Sequence, residues 1–339
     1  MKRRDVLGLG LGYPLLAFAN LEYPKVTPQK IFRFPHDHGA HPDYRQEWWY
    51  ITGWLKTARG EDLGFQITFF RARPDLETKN PSAFTTRQVI FAHAALSDPA
   101  HGRLRHDERA ARTALGLAGS KEGTTSVWVD DWKLELEMNR YRARIQARDF
   151  SLDLAFDSKQ SPVLQGESGF SRKGNGSGEA SYYYSRPQLA VTGSANGSPV
   201  SGTAWLDHEW SSQYMAAGAT GWDWCGLNLG GGESLMAFRM RGKNGEAIFS
   251  PPNTSFQVLR TWKSPRTGAT YPVEMIVKSH GREFRLEPLM DDQELDARAS
   301  TGTVYWEGAV VAYRTDGGAA KPAGRGYLEL TGYWRPMKL

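Results

Sequence analysis

The feature that most constrains the fold is an internal repeat of strand patterns. Residues 49–53 are echoed by residues 222–226, and each run is followed by a turn and a returning strand that ends in arginine. Residues 202–210 match residues 326–334 in the same way, with Gly, Leu and Trp in register. A hairpin and a later strand that both recur predict a duplicated β-domain.

The composition agrees with many strands joined by tight turns. The 339 residues are 40% hydrophobic and 12% aromatic, which is enough for a sizeable core, and the 36 Gly and 18 Pro are dispersed along the chain. We therefore expect an all-β fold. The best helix candidate is residues 108–117, and residues 166–180, rich in Gly and Ser, predict a mobile loop that could cover a pocket mouth.

Period-two alternation and β-branched or aromatic content identify the strand-like runs. They are residues 47–55, 63–71, 88–96, 127–138, 141–156, 182–191 and 202–210.

Charge and motif content exclude several classes of function. The net charge is only +5 and the basic residues are scattered, so we expect no nucleic-acid partner. The single cysteine, Cys225, cannot form an intrachain disulfide or a cysteine-based metal site, and we interpret it as a packing residue. No Gly-x-Ser-x-Gly elbow and no phosphate-binding glycine loop is present, so we expect no cofactor.

The N-terminus has the pattern of an export signal. Three basic residues precede an apolar run at 6–18, and a small-x-small site ends at Ala19. The run is too short to span a bilayer. Arg3 and Arg4 also resemble a twin-arginine signal. We therefore expect residues 1–19 to direct a periplasmic or secreted location.

The richest chemistry lies in residues 205–210, Trp-Leu-Asp-His-Glu-Trp. On a strand, alternation places His208 on one face and Asp207 and Glu209 on the other. Aromatic neighbours shift the pKa values of titratable groups. The second copy keeps the scaffold residues but not the ionisable ones, as expected of a site built on one copy of a duplicated scaffold.

Three motifs carry a family resemblance over nearly the whole mature chain. They are Glu-Trp-Trp-Tyr at 47–50, Asp-His-Glu-Trp at 207–210 and Gly-Trp-Asp-Trp at 221–224. Together they resemble the carotenoid 1,2-hydratase and AttH-like family of secreted lipocalin-like proteins. The resemblance implies two tandem lipocalin-like β-barrel domains, at residues 20–215 and 216–339.

The resemblance also implies activities. Members with assigned activities add water to a carbon–carbon double bond of apolar isoprenoids, or close rings in polyketides. Others, including AttH-like proteins thought to accompany ABC transporters, have no assigned reaction. In the hydratases the suspected catalytic group corresponds to His208, Trp210 and a later aspartate that maps to Asp223. Gly221 stands where those enzymes have tyrosine.

Addition of water to a double bond needs a proton donor, a base and an aromatic wall that stabilises a carbocation. Asp207, Asp223 or Glu209 could donate the proton, and His208 could accept one. The predicted substrate-binding residues are Trp49, Tyr50, Trp210, Trp222, Trp224, Tyr182 and Tyr184. In the alternative interpretation, the polar residues hydrogen-bond the junction of two barrels and the tryptophans are core.

We expect several other histidines to have structural roles. His36, His38 and His41 lie close enough in sequence to offer three imidazoles to a metal, but we favour hydrogen bonds that pin the loop and predict no metal. His93 is interpreted as a core histidine.

Two functions remain open. One is an enzyme acting on an apolar isoprenoid or lipid-like molecule. The other is a non-catalytic carrier of such a molecule, or an accessory of an ABC transporter. Peripheral contact with a membrane is compatible with either.

Overall fold

The computed structural model describes residues 22–74, 82 and 85–337. The expected export signal at 1–19 lies outside these residues. In the described part, the helices are two short 3-10 turns, His36–His38 and Gly230–Gly232, and no helix is long and apolar enough to cross a bilayer. The all-β prediction is confirmed.

The first sheet has 13 strands in the order β4-β3-β2-β1-β13-β12-β9-β8-β7-β6-β5, with β10 and β11 both paired to β12. Its strands are β1 (Gln46–Thr57), β2 (Asp62–Ala72), β3 (Val89–Ser97), β4 (Arg105–Arg112), β5 (Ala118–Ser120), β6 (Ser126–Val129), β7 (Trp132–Glu137), β8 (Arg140–Gln146), β9 (Ser151–Asp157), β10 (Val163–Leu164), β11 (Phe170–Arg172), β12 (Ala180–Ala195) and β13 (Ser198–Gln213).

This sheet curls into a nearly closed barrel, the first barrel. Arg109 on the edge strand β4 reaches across the seam and donates to the Gln146 carbonyl on β8 at 2.9 Å. Alternate side chains point inward and fill the barrel with aliphatic and aromatic groups, including Ile51, Phe65 and Leu206.

The second sheet has 9 strands in the order β16-β15-β14-β22-β21-β19-β18-β17, with β20 paired to β21, and forms a half-barrel, the second barrel. Its strands are β14 (Gly221–Leu229), β15 (Ser234–Arg241), β16 (Ala247–Phe249), β17 (Ser255–Lys263), β18 (Thr270–Ser279), β19 (Arg282–Pro288), β20 (Glu294–Ala297), β21 (Thr303–Arg314) and β22 (Lys321–Leu330).

The two barrels share a buried aromatic interface. It contains, among other residues, Tyr50 and Trp205 from the first barrel and Trp224 and Tyr327 from the second. The Trp54 indole donates across it to the Gly326 carbonyl at 3.0 Å. A buried interface with directional hydrogen bonds makes the two barrels one packed unit.

The pairing of the strands shows that the match of residues 49–53 with residues 222–226 is wrong by one residue. Counted from the shared glycines Gly202 and Gly326, Asp223 corresponds to Ile51 rather than to Tyr50. A shift of one residue on a strand moves a side chain to the opposite face. Asp223 therefore points into the second barrel.

The helix expected at 108–117 is wrong. Residues 105–112 form β4, which pairs with β3 along its length, and residues 113–117 form a turn. The Glu, Arg and Ala residues of this segment favour a helix locally, but pairing with a buried strand overrides weak propensity.

Three other segments differ from the secondary structure that the sequence predicts. The runs at 127–138 and 141–156 each split into two strands, β6 and β7, and β8 and β9. The loop at 166–180 contributes strand β11 and buries Lys173.

The shared glycines have the same physical role in both copies. A Cβ at Gly202 would lie 1.9 Å from the Trp54 carbonyl oxygen, and a Cβ at Gly326 would lie 2.1 Å from the Gly226 carbonyl oxygen. Backbone cannot move aside as a flexible side chain can, so no larger residue fits.

We expect Gly202→Ala and Gly326→Ala each to lower the free energy of unfolding by about 1–3 kcal/mol, because each forces a strand away from its partner. The matched control is Gly317→Ala, where an added Cβ has no neighbour within 4 Å among the described residues. It should change stability by less than about 0.5 kcal/mol. Urea titration measures all three, and an equal loss at Gly317 would contradict the argument.

Candidate functional site

Strand β13 is buried on both faces from Ala204 to Ser211, so its polar residues serve two separate environments. His208 and Trp210 point into the first barrel, while Asp207 and Glu209 point toward the second barrel. Alternation on the strand is as the sequence predicts. The acid and the imidazole are therefore divided between two sites.

Inside the first barrel, Glu47 on β1 is the centre of a charged network. Its Oε1 lies 2.9 Å from His208 Nε2 and 2.8 Å from His41 Nδ1. Arg71 Nε donates to its Oε2 at 2.7 Å, and both side chains of this ion pair are fully buried. His41 Nε2 in turn lies 3.2 Å from Asp37 Oδ1.

The charges of this network follow from burial and from neighbours. Burial alone would raise the pKa of Glu47, but Arg71 and the two imidazoles hold it well below its usual value. The pKa of His41 is raised because two carboxylates outweigh its burial. Burial lowers the pKa of His208 to about 4, so its imidazole is neutral at neutral pH.

His41, Glu47 and His208 are the described residues that could offer ligands to a metal, since their ligand atoms lie within 4.8 Å of one another. His41 Nδ1 and His208 Nε2 already contact Glu47 Oε1, and Arg71 donates to Glu47 Oε2. A cation here would have to compete with the buried guanidinium. The geometry therefore favours a hydrogen-bonded network.

Aromatic residues inside the first barrel pack against this network. His208 stacks on Trp49 at 4.8 Å between ring centroids, and His41 stacks on Trp210 at 3.6 Å. The Tyr184 hydroxyl lies 3.1 Å from His208 Nδ1, and the Tyr182 ring lies 5.7 Å from Trp210. Of the predicted substrate-binding residues, these four aromatic residues line the first barrel's interior.

A cavity of about 290 Å³ lies between the two barrels. Three other predicted substrate-binding residues, Tyr50, Trp222 and Trp224, line it. Its remaining walls are mostly aromatic or acidic, contributed by Trp48, Phe70, Phe91, His93, Tyr183, Asp207, Glu209, Tyr214, Tyr305 and Glu329, among others. This volume is near the lower end of ligand pockets, about 300–1,000 Å³.

Asp207 lines the cavity and accepts three hydrogen bonds. The Tyr183 hydroxyl donates to Oδ2 at 2.7 Å, and Oδ1 accepts from Ser185 at 2.5 Å and from the Trp205 indole at 2.7 Å. Burial raises the pKa of Asp207 to about 7, while these donors favour the carboxylate and limit the rise.

Glu209 has a buried cationic partner. Lys173 Nζ lies 2.7 Å from its Oε1, and the Ser181 hydroxyl donates to the same oxygen. Lys173 is 2% exposed and also lies over the rings of Phe238 and Tyr183. Burial raises the pKa of Glu209, and the ammonium opposes that rise.

Glu329 on β22 lines the second barrel's side of the cavity. The Trp222 indole donates to its Oε2 at 2.9 Å, and burial raises the pKa of Glu329 to about 7. Glu307 lies directly opposite on β21 and accepts from the Tyr50 hydroxyl at 2.7 Å. Burial raises the pKa of Glu307 well above its usual value.

His93 also lines the cavity. Its Nδ1 lies 2.9 Å from the Tyr305 hydroxyl and its Nε2 lies 3.0 Å from Ser300 Oγ. Burial lowers the pKa of His93 to about 3, so the ring is neutral. The imidazole therefore links the two barrels as a neutral hydrogen-bonding group.

Asp223 lies in the second barrel, away from the cavity. Arg239 and Arg241 donate to its two carboxylate oxygens at 2.7 and 2.8 Å, and the Tyr333 hydroxyl lies 3.0 Å away. The predicted catalytic residues Asp207, His208 and Asp223 thus occupy three different environments. Their catalytic roles stay predictions.

Sequence reasoning missed Tyr183, Lys173 and Glu329. In the Tyr-Tyr-Tyr run at 182–184, the sequence predicts substrate binding by Tyr182 and Tyr184. The structure instead places Tyr183 in the cavity wall. Glu329 had a usable signal, because it is a single acid between Leu328 and Leu330, which both point into the second barrel. Lys173 had none, since it lies in a segment interpreted as loop.

We expect the Glu47 network to matter for stability. Arg71→Met should lower the free energy of unfolding by about 3–5 kcal/mol, because it leaves a buried carboxylate without its cation. Adding Glu47→Gln should recover part of the loss. Arg140→Met, which removes an exposed pair with Asp157, should have a much smaller effect, because water screens exposed ion pairs. Urea unfolding compares the four proteins, and an equal effect of both arginine variants would contradict the network's role.

Comparison with known proteins identifies relatives that match most of the chain. The family model described as AttH-like matches residues 25–333. A protein assigned as an AttH from Nitrosomonas europaea is 49% identical, with 91% of this chain and 99% of that chain covered and a TM-score of 0.84. Kievitone hydratase from Nectria haematococca is 17% identical, with 93% and 97% covered and a TM-score of 0.63, which indicates a shared fold. A comparison with curated proteins gives no match. Two lipocalin-like barrels, the three sequence motifs and the match over residues 25–333 agree, and the chain belongs to the AttH-like family.

Proposed function

We propose that this protein is an exported enzyme that adds water to, or isomerises, a carbon–carbon double bond of an apolar isoprenoid or lipid-like molecule. The observation that carries the proposal is the cavity between the barrels, where an aromatic wall surrounds the buried carboxyl groups of Asp207 and Glu209 and the partly buried carboxyl group of Glu329.

The walls suit a substrate with little polarity. Trp48, Tyr214, Trp222 and Trp224 present aromatic surface to the cavity. Aromatic faces stabilise a passing carbocation, and exclusion of water strengthens a proton donor's effect. The volume of about 290 Å³ suits one end of an isoprenoid chain rather than a long polyene as a whole.

The acids suit proton transfer at a double bond. Two carboxyl groups of the cavity, those of Asp207 and Glu329, have pKa values raised to about 7 by burial. A general acid works best when its pKa is close to the working pH. The name of the related kievitone hydratase gives hydration further weight as the reaction class.

A carrier that does no chemistry is the second candidate, and one observation favours it. His208 and Asp223, two of the three residues predicted to be catalytic, are bound in networks outside the cavity. A carrier needs only the aromatic walls. Such a protein would deliver its ligand to a partner, for instance an ABC transporter, or to a membrane.

The test is incubation of the purified protein with lycopene and with geraniol in ¹⁸O-labelled water, followed by mass spectrometry. We expect a product that gains one labelled water or is an isomer of the probe. Asp207→Asn should lower the rate about 100-fold, because an amide cannot accept all three hydrogen bonds that hold the Tyr183 hydroxyl in the cavity wall.

Asp153→Asn, on an exposed position of β9, is the matched control and should keep the wild-type rate. Probes that bind, as shown by quenching of tryptophan fluorescence, but return unchanged from the wild-type protein would favour the carrier.

Export has its own test. In a bacterial host with a periplasm, the full chain should be found in the periplasm with residues 1–19 removed, as mass spectrometry of the purified protein would show. Replacing Arg3 and Arg4 by lysine should retain it in the cytoplasm if the twin-arginine route is used. Deletion of residues 2–19 is the control for loss of any signal, and periplasmic protein from that variant would contradict an N-terminal signal.

A further inference from the structure

The carboxyl groups of the cavity differ in what lies beside them. Glu209, on the first barrel's wall, has a buried ammonium as its partner, whereas Glu329, on the second barrel's wall, has no cationic partner in the part of the chain that the structure describes. Two acids whose surroundings push their protonation states apart are the arrangement that acid–base catalysis uses.

Lys173 is committed to Glu209. Its Nζ lies 2.7 Å from Glu209 Oε1 and over the faces of Phe238 and Tyr183, at 4.2 and 4.9 Å from the ring centroids. The Ser181 hydroxyl donates to the same carboxylate oxygen. A buried ammonium and a hydroxyl donor both stabilise the ionised form, so Glu209 is a carboxylate.

Glu329 has the opposite surroundings. Within the described residues it forms no ion pair, and its one side-chain donor is the Trp222 indole. Glu307 faces it across the strand pair, and Glu209 acts on it electrostatically from the other wall. Loss of a proton from Glu329 would place a second negative charge near the Glu209 carboxylate, and this charge would have no cation of its own among the described residues. Glu329 therefore holds its proton more tightly than an ordinary glutamate does.

Asp207 is in a different position from both. Its oxygens accept from Tyr183, Ser185 and Trp205, and Tyr183 in turn accepts from the Trp224 indole at 3.1 Å. These bonds fix the orientation of a wall residue, Tyr183, and join the two barrels. Asp207 is thus a positioning residue.

We infer that Glu329 is the proton donor of the cavity and that Glu209, kept ionised by Lys173, is the proton acceptor. This assignment rests on the proposed function, and it makes the catalytic pair a composite of the two barrels.

In hydration, the Glu329 proton bonds to one carbon of the double bond, and the π electrons form that C–H bond. The other carbon becomes a carbocation, and a water oxygen bonds to it with a lone pair. The added water loses one proton to the Glu209 carboxylate. The net reaction adds H₂O to the double bond, and transfer of one proton from Glu209 back to Glu329 through solvent restores the site.

The charges can be tested without any substrate. Infrared difference spectra of the full-length protein at pH 6 compare the wild type with Glu329→Gln, Glu209→Gln and Lys173→Met in the region of protonated carboxyl groups. We expect Glu329→Gln to remove a protonated-carboxyl band and Glu209→Gln to remove a carboxylate band only. Lys173→Met should add a protonated band, because Glu209 loses its cation.

Glu137→Gln, at the exposed end of β7, is the matched control and should change only carboxylate absorption. Near-ultraviolet circular dichroism of the buried tryptophans shows whether each variant is folded. A protonated band that disappears in Glu209→Gln and persists in Glu329→Gln would overturn the assignment.

The catalytic roles are tested on whichever of lycopene or geraniol the wild type hydrates. Glu329→Gln and Glu209→Gln should each lower kcat by about 10²–10⁴-fold while the probe still quenches tryptophan fluorescence. Hydration by Glu329→Gln at the wild-type rate would overturn the donor role. Failure of the proposed function looks different, since both probes would then return unchanged from the wild type while the infrared pattern remained as expected.

Discussion

The structure depends on the burial of β13 on both faces. Residues 204–211 contact the first barrel's interior with one set of side chains and the second barrel with the other. A polar group on such a strand has no access to solvent on either side, so each one needs a partner within the protein. His208 contacts Glu47, Asp207 accepts three hydrogen bonds, and Glu209 pairs with Lys173. One strand therefore organises both the core network and the cavity wall.

Much of this could be predicted from the sequence. Alternation in residues 205–210 separates the faces correctly, and the repeated glycines predict two copies of one scaffold. The errors are local. The segment at 108–117 has helix-favouring residues, and only its pairing with β3 makes it a strand. The hairpin match was one residue out of register, which is invisible in composition but decides that Asp223 lies inside the second barrel.

The site itself was harder to predict than the fold, because its members come from distant parts of the chain. Lys173 lies in a segment with no regular pattern, and its meeting with Glu209 depends on how residues 166–180 fold over the first barrel. Counted from the shared glycines Gly202 and Gly326, Glu329 occupies the position that Trp205 has in the first copy. Comparison of the two copies therefore pointed to an aromatic residue at this position and not to an acid. Tertiary packing alone brings these groups to one cavity.

The two kinds of buried acid in this protein differ in their number of cations. Glu47, which with Arg71 also reaches the cavity wall, has one arginine and Asp223 has two, and such pairs hold a fixed charge. Around the cavity, Asp207, Glu209, Glu307 and Glu329 have one ion pair among the described residues, that of Glu209 with Lys173. An enclosure with more carboxyl groups than cations must keep some of them protonated, because each further anion there would be unpaired. Duplication provides this asymmetry, since one barrel supplies the cation and the other supplies the acid without one.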